Sequence, residues 1–218
     1  MVEHLPLKEM VPSSSLGRLT NLNLNMDNPI ETQLGGKYSP DNTKLFALKS
    51  ALQEQGIGVA FPAGDSIIHE GDFALTDEAE RDLPWHSTEF SFLRAVRDNP
   101  VHIIANTAKD NEGYLGGSAS AELAYAMLKG KPAILLHRPV ISERVPQRLR
   151  TVIMQHAGEF DVEDISLLSG EQLKSRIENA ASREVDYKLT PDEDRIIREE
   201  LRELLHSIRD EWKASQQK

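Results

Sequence analysis

Short apolar runs and longer amphipathic segments alternate along this chain, which predicts strands separated by helices. The apolar runs predict five strands, at residues 30–34, 57–61, 101–105, 133–137 and 164–168. Helical periodicity or helix-boundary residues mark the segments between and after them, at residues 39–56, 82 or 84 to 97, 119–129, 145–155 and 171–180. Because strand and helix alternate at this spacing, we expect right-handed crossovers and a doubly wound parallel α/β sheet of the Rossmann or flavodoxin kind.

In such a sheet a ligand binds beyond the carboxyl ends of the strands. Three predicted strand exits carry glycine or polar residues: Gly35-Gly36, Gly64-Asp65, and the long loop that begins at Asn106. We therefore predict that these three loops converge on one pocket. The third strand itself reads Val-His-Ile-Ile-Ala, and we interpret its histidine, His102, as an outward-alternating structural residue.

The loop after the third strand is rich in glycine and leads into a helix that carries an acid. We predict that Ser118 caps this helix, that Gly130 ends it, and that Glu122 lies in its first turn, facing a ligand. The alternative is that Glu122 only complements the helix dipole. A carboxylate beside a sugar can attack an anomeric carbon, and a second acid then assists the leaving group. Glu89 is the candidate for that second acid, with Asp65 and Asp72 as alternatives.

Composition narrows the class of protein. The chain has 218 residues, enough for one α/β domain, and it has no cysteine, which excludes disulfides and thiolate metal sites. Its formal charge of −10 disfavours binding to a nucleic-acid polymer. The seven histidines lack metal-ligand spacing, no apolar run approaches the ~20 residues needed to span a bilayer, and the start of the sequence lacks a signal-peptide core. We therefore predict a cytoplasmic protein with no metal, no cofactor and no membrane segment.

The two ends of the chain differ from the middle. Residues 1–28 lack core periodicity and are predicted to be an N-terminal arm, followed by an α/β domain at 29–185. A C-terminal amphipathic helix is predicted at 190–215, where Thr190, Pro191 and Glu193 form a strong start signal. Its apolar stripe either packs on its own domain or joins a partner helix in a homo-oligomer. The stripe comprises Ile197, Leu201, Leu204 and Ile208.

The glycine loop and the helix after it resemble the signature of a known family. Residues 113–118 (Gly-Tyr-Leu-Gly-Gly-Ser) and 122–132 (Glu-Leu-Ala-Tyr-Ala-Met-Leu-Lys-Gly-Lys-Pro) resemble the nucleoside 2-deoxyribosyltransferase-like superfamily. That superfamily includes nucleoside 5′-monophosphate N-glycosidases. The resemblance extends to residues 35–38, 58–62 and 86–93, and so covers roughly residues 29–140.

The resemblance implies a role for each matching residue. Glu122 would be the nucleophile on the sugar C1′, and Glu89 would assist departure of the base. The other matching residues would bind substrate. Asp65 and Asn106 are further candidates for substrate binding, because they lie at the exits of predicted strands. The matching residues implied near the base are Gly35, Gly36 and Tyr38, and those implied near the ribose or 5′-phosphate are Gly113, Tyr114, Gly116, Gly117 and Ser118. Family members often complete the pocket with a neighbouring chain, so a homo-oligomer is expected.

This sequence departs from the family pattern in two ways: its first strand is more polar than the usual one, and the loop between Asn106 and Gly113 is acidic. Asp110 and Glu112 make the loop acidic, which is unfavourable for a phosphate and favours a nucleoside or another neutral glycoside. The leading prediction is cleavage or transfer of an N-glycosidic bond in a nucleoside or nucleotide. The alternatives are a non-catalytic module that senses a nucleotide-like ligand, and an NAD-type glycohydrolase.

Overall fold

The computed structural model of this protein describes residues 30–37, 43–62, 85–108 and 111–215. Five strands form a fully parallel sheet in the order β2-β1-β3-β7-β9. They are β1 (Glu31–Gly36), β2 (Gly58–Val59), β3 (Val101–Ala105), β7 (Ala133–Leu135) and β9 (Asp161–Val162). The α/β fold class predicted from the sequence is therefore confirmed.

Helices cover both faces of this sheet. The helices are α1 (Thr43–Glu54), α2 (Trp85–Asp98), α3 (Gly117–Leu128), α4 (Gln147–Gln155), α5 (Gly170–Ala181) and α6 (Pro191–Ser215). One buried cluster joins α1 and α5 to one face, and a second joins α2, α3, α4 and α6 to the other. Alternate residues of β3 supply the two clusters, since Ile103 belongs to the first and Ile104 to the second. This explains why the strand reads as a nearly continuous apolar run.

Four short strands lie outside the main sheet and shape the glycine loop. An antiparallel pair, β4 (Thr107–Ala108) with β5 (Asn111–Glu112), extends from the end of β3. A parallel pair, β6 (Tyr114–Leu115) with β8 (Val140–Ile141), then ties the loop to the segment that follows β7. The stretch that the sequence presented as a loop is therefore built from paired backbone on two sides.

Some predicted boundaries are wrong. The fifth strand was expected at residues 164–168, but β9 lies earlier, and Ile165–Leu167 forms a 3₁₀ turn. Asp164 initiates that turn, because its carboxylate accepts a hydrogen bond from the Ser166 backbone N–H. The predicted cap of α3 is also wrong: the N-cap is Gly116, with no side-chain cap, and Ser118 lies inside the helix. Glu122 is consequently in the second turn of α3 rather than the first.

The C-terminal helix begins as predicted. The Glu193 carboxylate accepts hydrogen bonds from the Thr190 backbone N–H and hydroxyl, each at 2.8 Å, and the Thr190 hydroxyl accepts from the Glu193 N–H. All four residues of the apolar stripe are buried within the chain's own core, among residues of α3 and α4. The first of the two interpretations of this stripe, packing on its own domain, is therefore confirmed. Whether the protein forms a homo-oligomer stays a prediction.

None of the helices in residues 30–37, 43–62, 85–108 and 111–215 is both long and apolar enough to cross a membrane. The predicted arm at residues 1–28 lies outside the described residues.

Candidate active site at the end of the parallel sheet

The strand order identifies one edge of the sheet as the place for a ligand. The chain leaves β1 towards β2 on one side and later returns through β3 on the other, so the order reverses between β1 and β3. In doubly wound sheets the crevice at such a reversal, beyond the carboxyl ends of the strands, is where ligands bind. Here that point lies between Gly36 at the end of β1 and Ala105 at the end of β3, which are register partners.

Glu122 lies on α3, and its carboxylate packs on the sheet at Gly35, one residue before the end of β1. Its side chain is only 6% exposed, and its Oε2 atom lies 3.5 Å from Nε2 of His102 on β3. A Cβ atom placed on Gly35 would stand 2.4 Å from the same Oε2, so the carboxylate packs directly on the backbone of β1. Glycine at position 35 is therefore a steric requirement of this carboxylate position.

The prediction that His102 points outward is wrong. His102 is completely buried, and its register partner on β1, Gln33, is completely buried as well. Burial lowers the pKa of His102 to about 3, an effect that an interaction with the Gln33 backbone only partly opposes. The imidazole is therefore neutral near pH 7, and its contact with Glu122 joins a neutral ring to an acid rather than two ions.

The other predicted substrate-binding residues of the glycine loop surround the start of α3. Gly113 has a φ of +91° and contacts the backbone of Arg138, while Gly116 caps the helix close to the Tyr114 ring. Gly117 is the first helical residue, and Ser118 follows it in the first turn. These five residues lie together at the amino end of the helix that carries Glu122, and their role in substrate binding stays a prediction.

Gly117 also connects the loop to the C-terminal helix. A Cβ atom at Gly117 would lie 3.4 Å from the side chain of Ile208 and 3.6 Å from that of Leu204. The side of the loop that faces the core therefore rests on α6.

Asn106 supports the loop through its side chain. Its amide donates a hydrogen bond to the His137 carbonyl at 2.8 Å and accepts one from the His137 N–H at 3.0 Å. Its own carbonyl accepts a hydrogen bond from the Gly113 N–H. Asn106 thus clamps the ends of β3 and β7 together, a structural role that the prediction of substrate binding did not anticipate.

Three predicted site residues cannot be compared fully with this geometry. Tyr38 and Asp65 lie outside the described residues, as does the alternative acid Asp72. Glu89 lies within α2, on the helix expected, but its side chain falls outside what the structure describes.

The pair formed by Gln33 and His102 was not predicted from the sequence. Both are polar residues on central strands of a sheet that is covered on both faces, so each had to be buried whichever way it pointed. That pattern was the available signal. Buried polar side chains without hydrogen bonds are costly, and within the described part of the chain neither the Gln33 amide nor the His102 ring has one.

We predict that His102 makes the fold sensitive to acid. Its folded pKa of about 3 lies below its ordinary value of 6.5, so unfolding takes up a proton between these values and stability falls as the pH falls through that range. At pH 5 the expected loss is about 2 kcal/mol relative to pH 8. Urea denaturation of the wild type and of His102→Gln at both pH values measures it. An equal pH dependence in the two proteins would contradict the prediction.

Within the described residues, no group of three or more histidine, aspartate or glutamate side chains is arranged to hold a metal ion. A surface depression of about 490 Å³ lies elsewhere, over α4, and is lined by Gln147, Arg150, Thr151, Met154 and Gln155. All five residues belong to one helix, and Glu122 is not among them, so this depression has no part in the site.

Comparison with known proteins adds no relative: the chain matches no family model, and no curated protein or solved structure matches it significantly. The superfamily suggested by residues 113–118 and 122–132 therefore stays a prediction.

Proposed function

We propose that this protein cleaves or transfers the N-glycosidic bond of a nucleoside or nucleotide, with Glu122 as the nucleophile. The observation that carries the proposal is the position of Glu122, whose carboxylate packs on Gly35 at the β1–β3 edge. A general argument about doubly wound sheets places a ligand at this edge. The resemblance of the glycine loop to the deoxyribosyltransferase-like superfamily supplies the class of reaction.

The proposed reaction is a double displacement. A Glu122 oxygen forms a bond to C1′ while the C1′–N bond breaks, and its electron pair leaves with the base nitrogen. An acid, for which Glu89 is the candidate, protonates that nitrogen. Water or the nitrogen of a second base then attacks C1′ and passes its proton to the conjugate base of that same acid, while the C1′–O bond to Glu122 breaks and its electron pair returns to the carboxylate.

Buried surroundings suit this chemistry. A carboxylate in a water-poor site is a stronger nucleophile than one in bulk water, and exclusion of water protects a covalent intermediate until an acceptor arrives. The glycine loop presents backbone N–H groups at the start of α3, where no side chain caps the helix. Such groups suit hydroxyl or phosphate oxygens of a sugar.

The test is a substrate panel. Purified protein is incubated with deoxynucleosides, ribonucleosides, their monophosphates and NAD, with and without an acceptor base, and released base is separated and quantified. Mass spectrometry of the quenched protein is expected to find a glycosyl group on the peptide that contains Glu122. If no member of the panel loses its base, the proposal is wrong; release of nicotinamide alone would instead favour the glycohydrolase alternative.

One observation favours a second candidate, a ligand-sensing module. Gly117 packs on Ile208 and Leu204, so a ligand that moves the glycine loop would also shift α6. A sensor predicts that a nucleoside monophosphate raises the melting temperature while no product forms. The same panel, read by thermal shift as well as by base release, separates the two functions.

We predict that Gly35→Ala impairs catalysis more than folding. The added Cβ would stand 2.4 Å from Oε2 of Glu122 and 3.2 Å from Cε1 of His102, which are side-chain atoms rather than backbone, so the side chains shift and the strand stays. Displacing a reacting group by about 1 Å costs on the order of 100-fold in rate, so kcat/KM is expected to fall by about that factor. Steady-state kinetics and a thermal melt measure the two effects.

The matched control for Gly35→Ala is Gly158→Ala, because a Cβ at position 158 meets no atom within 4 Å. This control is expected to keep wild-type kinetics. A Gly35→Ala variant as active as the control would show that the carboxylate position does not matter for turnover.

A further inference from the structure

A polar pair is buried between the sheet and α3, beneath the candidate site. Gln33 on β1 and His102 on β3 are register partners, and both are completely buried. Their polar side-chain atoms make no hydrogen bond within the described residues, which is rare for groups so deeply buried. Apolar residues would fill the same space at lower cost, so the presence of an imidazole calls for a role.

The imidazole faces the proposed nucleophile. His102 Nε2 lies 3.5 Å from Glu122 Oε2, at the outer limit of a hydrogen bond, and catalytic contacts of this kind commonly shorten when a ligand binds. A neutral imidazole has one N–H and one lone pair, and an ionised carboxylate can only accept a hydrogen bond. The nitrogen that faces Glu122 must therefore carry the hydrogen if the contact is to be attractive.

We propose that His102 is a positioning residue for Glu122, in which Nε2–H donates to Oε2 and fixes the orientation of the carboxylate. Gly35 closes the other side of Oε2, so the oxygen is confined between a ring and a strand. The arrangement resembles the way in which a carboxylate orients a catalytic histidine, with the two roles exchanged. The effect of His102 on turnover rests on the proposed function. The hydrogen bond between His102 and Glu122 does not depend on that function.

Among the described residues, one other group competes for the ring proton: the Gln33 backbone, whose interaction with the ring partly opposes the lowering of the His102 pKa by burial. The register neighbours of His102 on β1 and β7 are Gln33 and Ala133, neither of which titrates, and α3 contributes Glu122. A change in the pH behaviour of one member of the pair is therefore expected to reflect the other.

The hydrogen bond can be tested without any substrate. Protein labelled with ¹⁵N-histidine is studied by long-range ¹H–¹⁵N NMR, and His102 is assigned as the signal set that disappears in His102→Gln. The expected result is a neutral ring in the Nε2–H tautomer from pH 5 to 8, with that tautomer losing population in Glu122→Leu. An Nδ1–H tautomer in the wild type, or the same tautomer ratio in Glu122→Leu, would overturn the proposal.

The positioning role is tested with two variants of His102. Glutamine places an amide N–H near the position of Nε2, whereas leucine fills the space without a donor. We expect His102→Gln to keep kcat within about threefold. We expect His102→Leu to lower kcat about tenfold with KM unchanged, and to move the acid limb of the kcat/KM profile up by about one pH unit, because the carboxylate loses a donor that favours its ionised form.

A space-filling role predicts the opposite order, since leucine suits an apolar strand better than glutamine does. Equal kinetics for leucine and wild type would therefore overturn the positioning role. If the wild type releases no base from any substrate, the proposed function fails, while the NMR measurement still decides whether His102 holds Glu122.

Discussion

Replacing Glu122 with glutamine is expected to lower the rate of base release by at least about 10³-fold, the equivalent of about 4 kcal/mol in the activation barrier. The amide has nearly the size of the carboxylate, so the contacts with Gly35 and His102 stay filled. The amide lacks the negative charge with which the carboxylate attacks C1′, so the covalent glycosyl-enzyme intermediate cannot form. Single-turnover and steady-state assays on the best substrate of the panel measure the loss.

The variant is also expected to be at least as stable as the wild type. Burying an amide costs less than burying a carboxylate, and catalytic groups are commonly kept at the expense of stability. Loss of activity with an unchanged or higher melting temperature would exclude unfolding as the cause. The matched control is Glu171→Gln on the exposed first turn of α5, which is expected to leave kinetics unchanged. Wild-type turnover in Glu122→Gln would refute the nucleophile assignment.

Replacing Gly113 with alanine is expected to destabilise the protein by about 3 kcal/mol, the combined result of an unfavourable backbone angle and a collision. The residue has a φ of +91°, and an added Cβ would stand 2.1 Å from the Arg138 carbonyl oxygen. That oxygen belongs to the main chain and cannot swing aside. The melting temperature is expected to fall by about 10 °C in a domain of this size.

The damage at Gly113 should extend to the glycine loop. Its N–H donates to the Asn106 carbonyl at 2.7 Å, and its carbonyl accepts from the Val140 N–H at 2.8 Å, so both strand pairs of the loop depend on it. Gly158→Ala again serves as the control, with an expected change within about 0.5 kcal/mol. Urea denaturation of the three proteins gives the comparison, and equal stabilities would contradict the steric argument.

Much of the fold was predictable because local and tertiary signals agreed. The third strand and the start of α6 matched the sequence-based expectation, since an apolar pentapeptide suits a doubly covered strand and a capping box specifies a helix start. The fifth strand was misplaced because Ile165 is apolar and buried in a 3₁₀ turn, where it serves the core as well as a strand residue would. Apolar character alone does not separate the two.

The candidate site was only partly predictable. Glu122 and the glycine loop could be found, because glycines before a helix and an acid within it leave a local pattern. The contact of Glu122 with His102 could not be found in this way, because it joins residues twenty positions apart and depends on sheet register. Asn106 illustrates the same limit: a polar residue at a strand exit suggested a ligand, but its amide serves the backbone of the neighbouring strand exit.

The contact between Gly117 and α6 has a consequence for experiments that shorten the chain. Ile208 lies in the last third of α6, far along the sequence from the loop that it supports. A truncation that removes Leu204 and Ile208 therefore removes the side chains on which Gly117 of the glycine loop packs, in addition to deleting part of a helix. Deletion mapping would therefore assign a loss of activity to α6, although its cause is a disturbed glycine loop at the edge of the sheet.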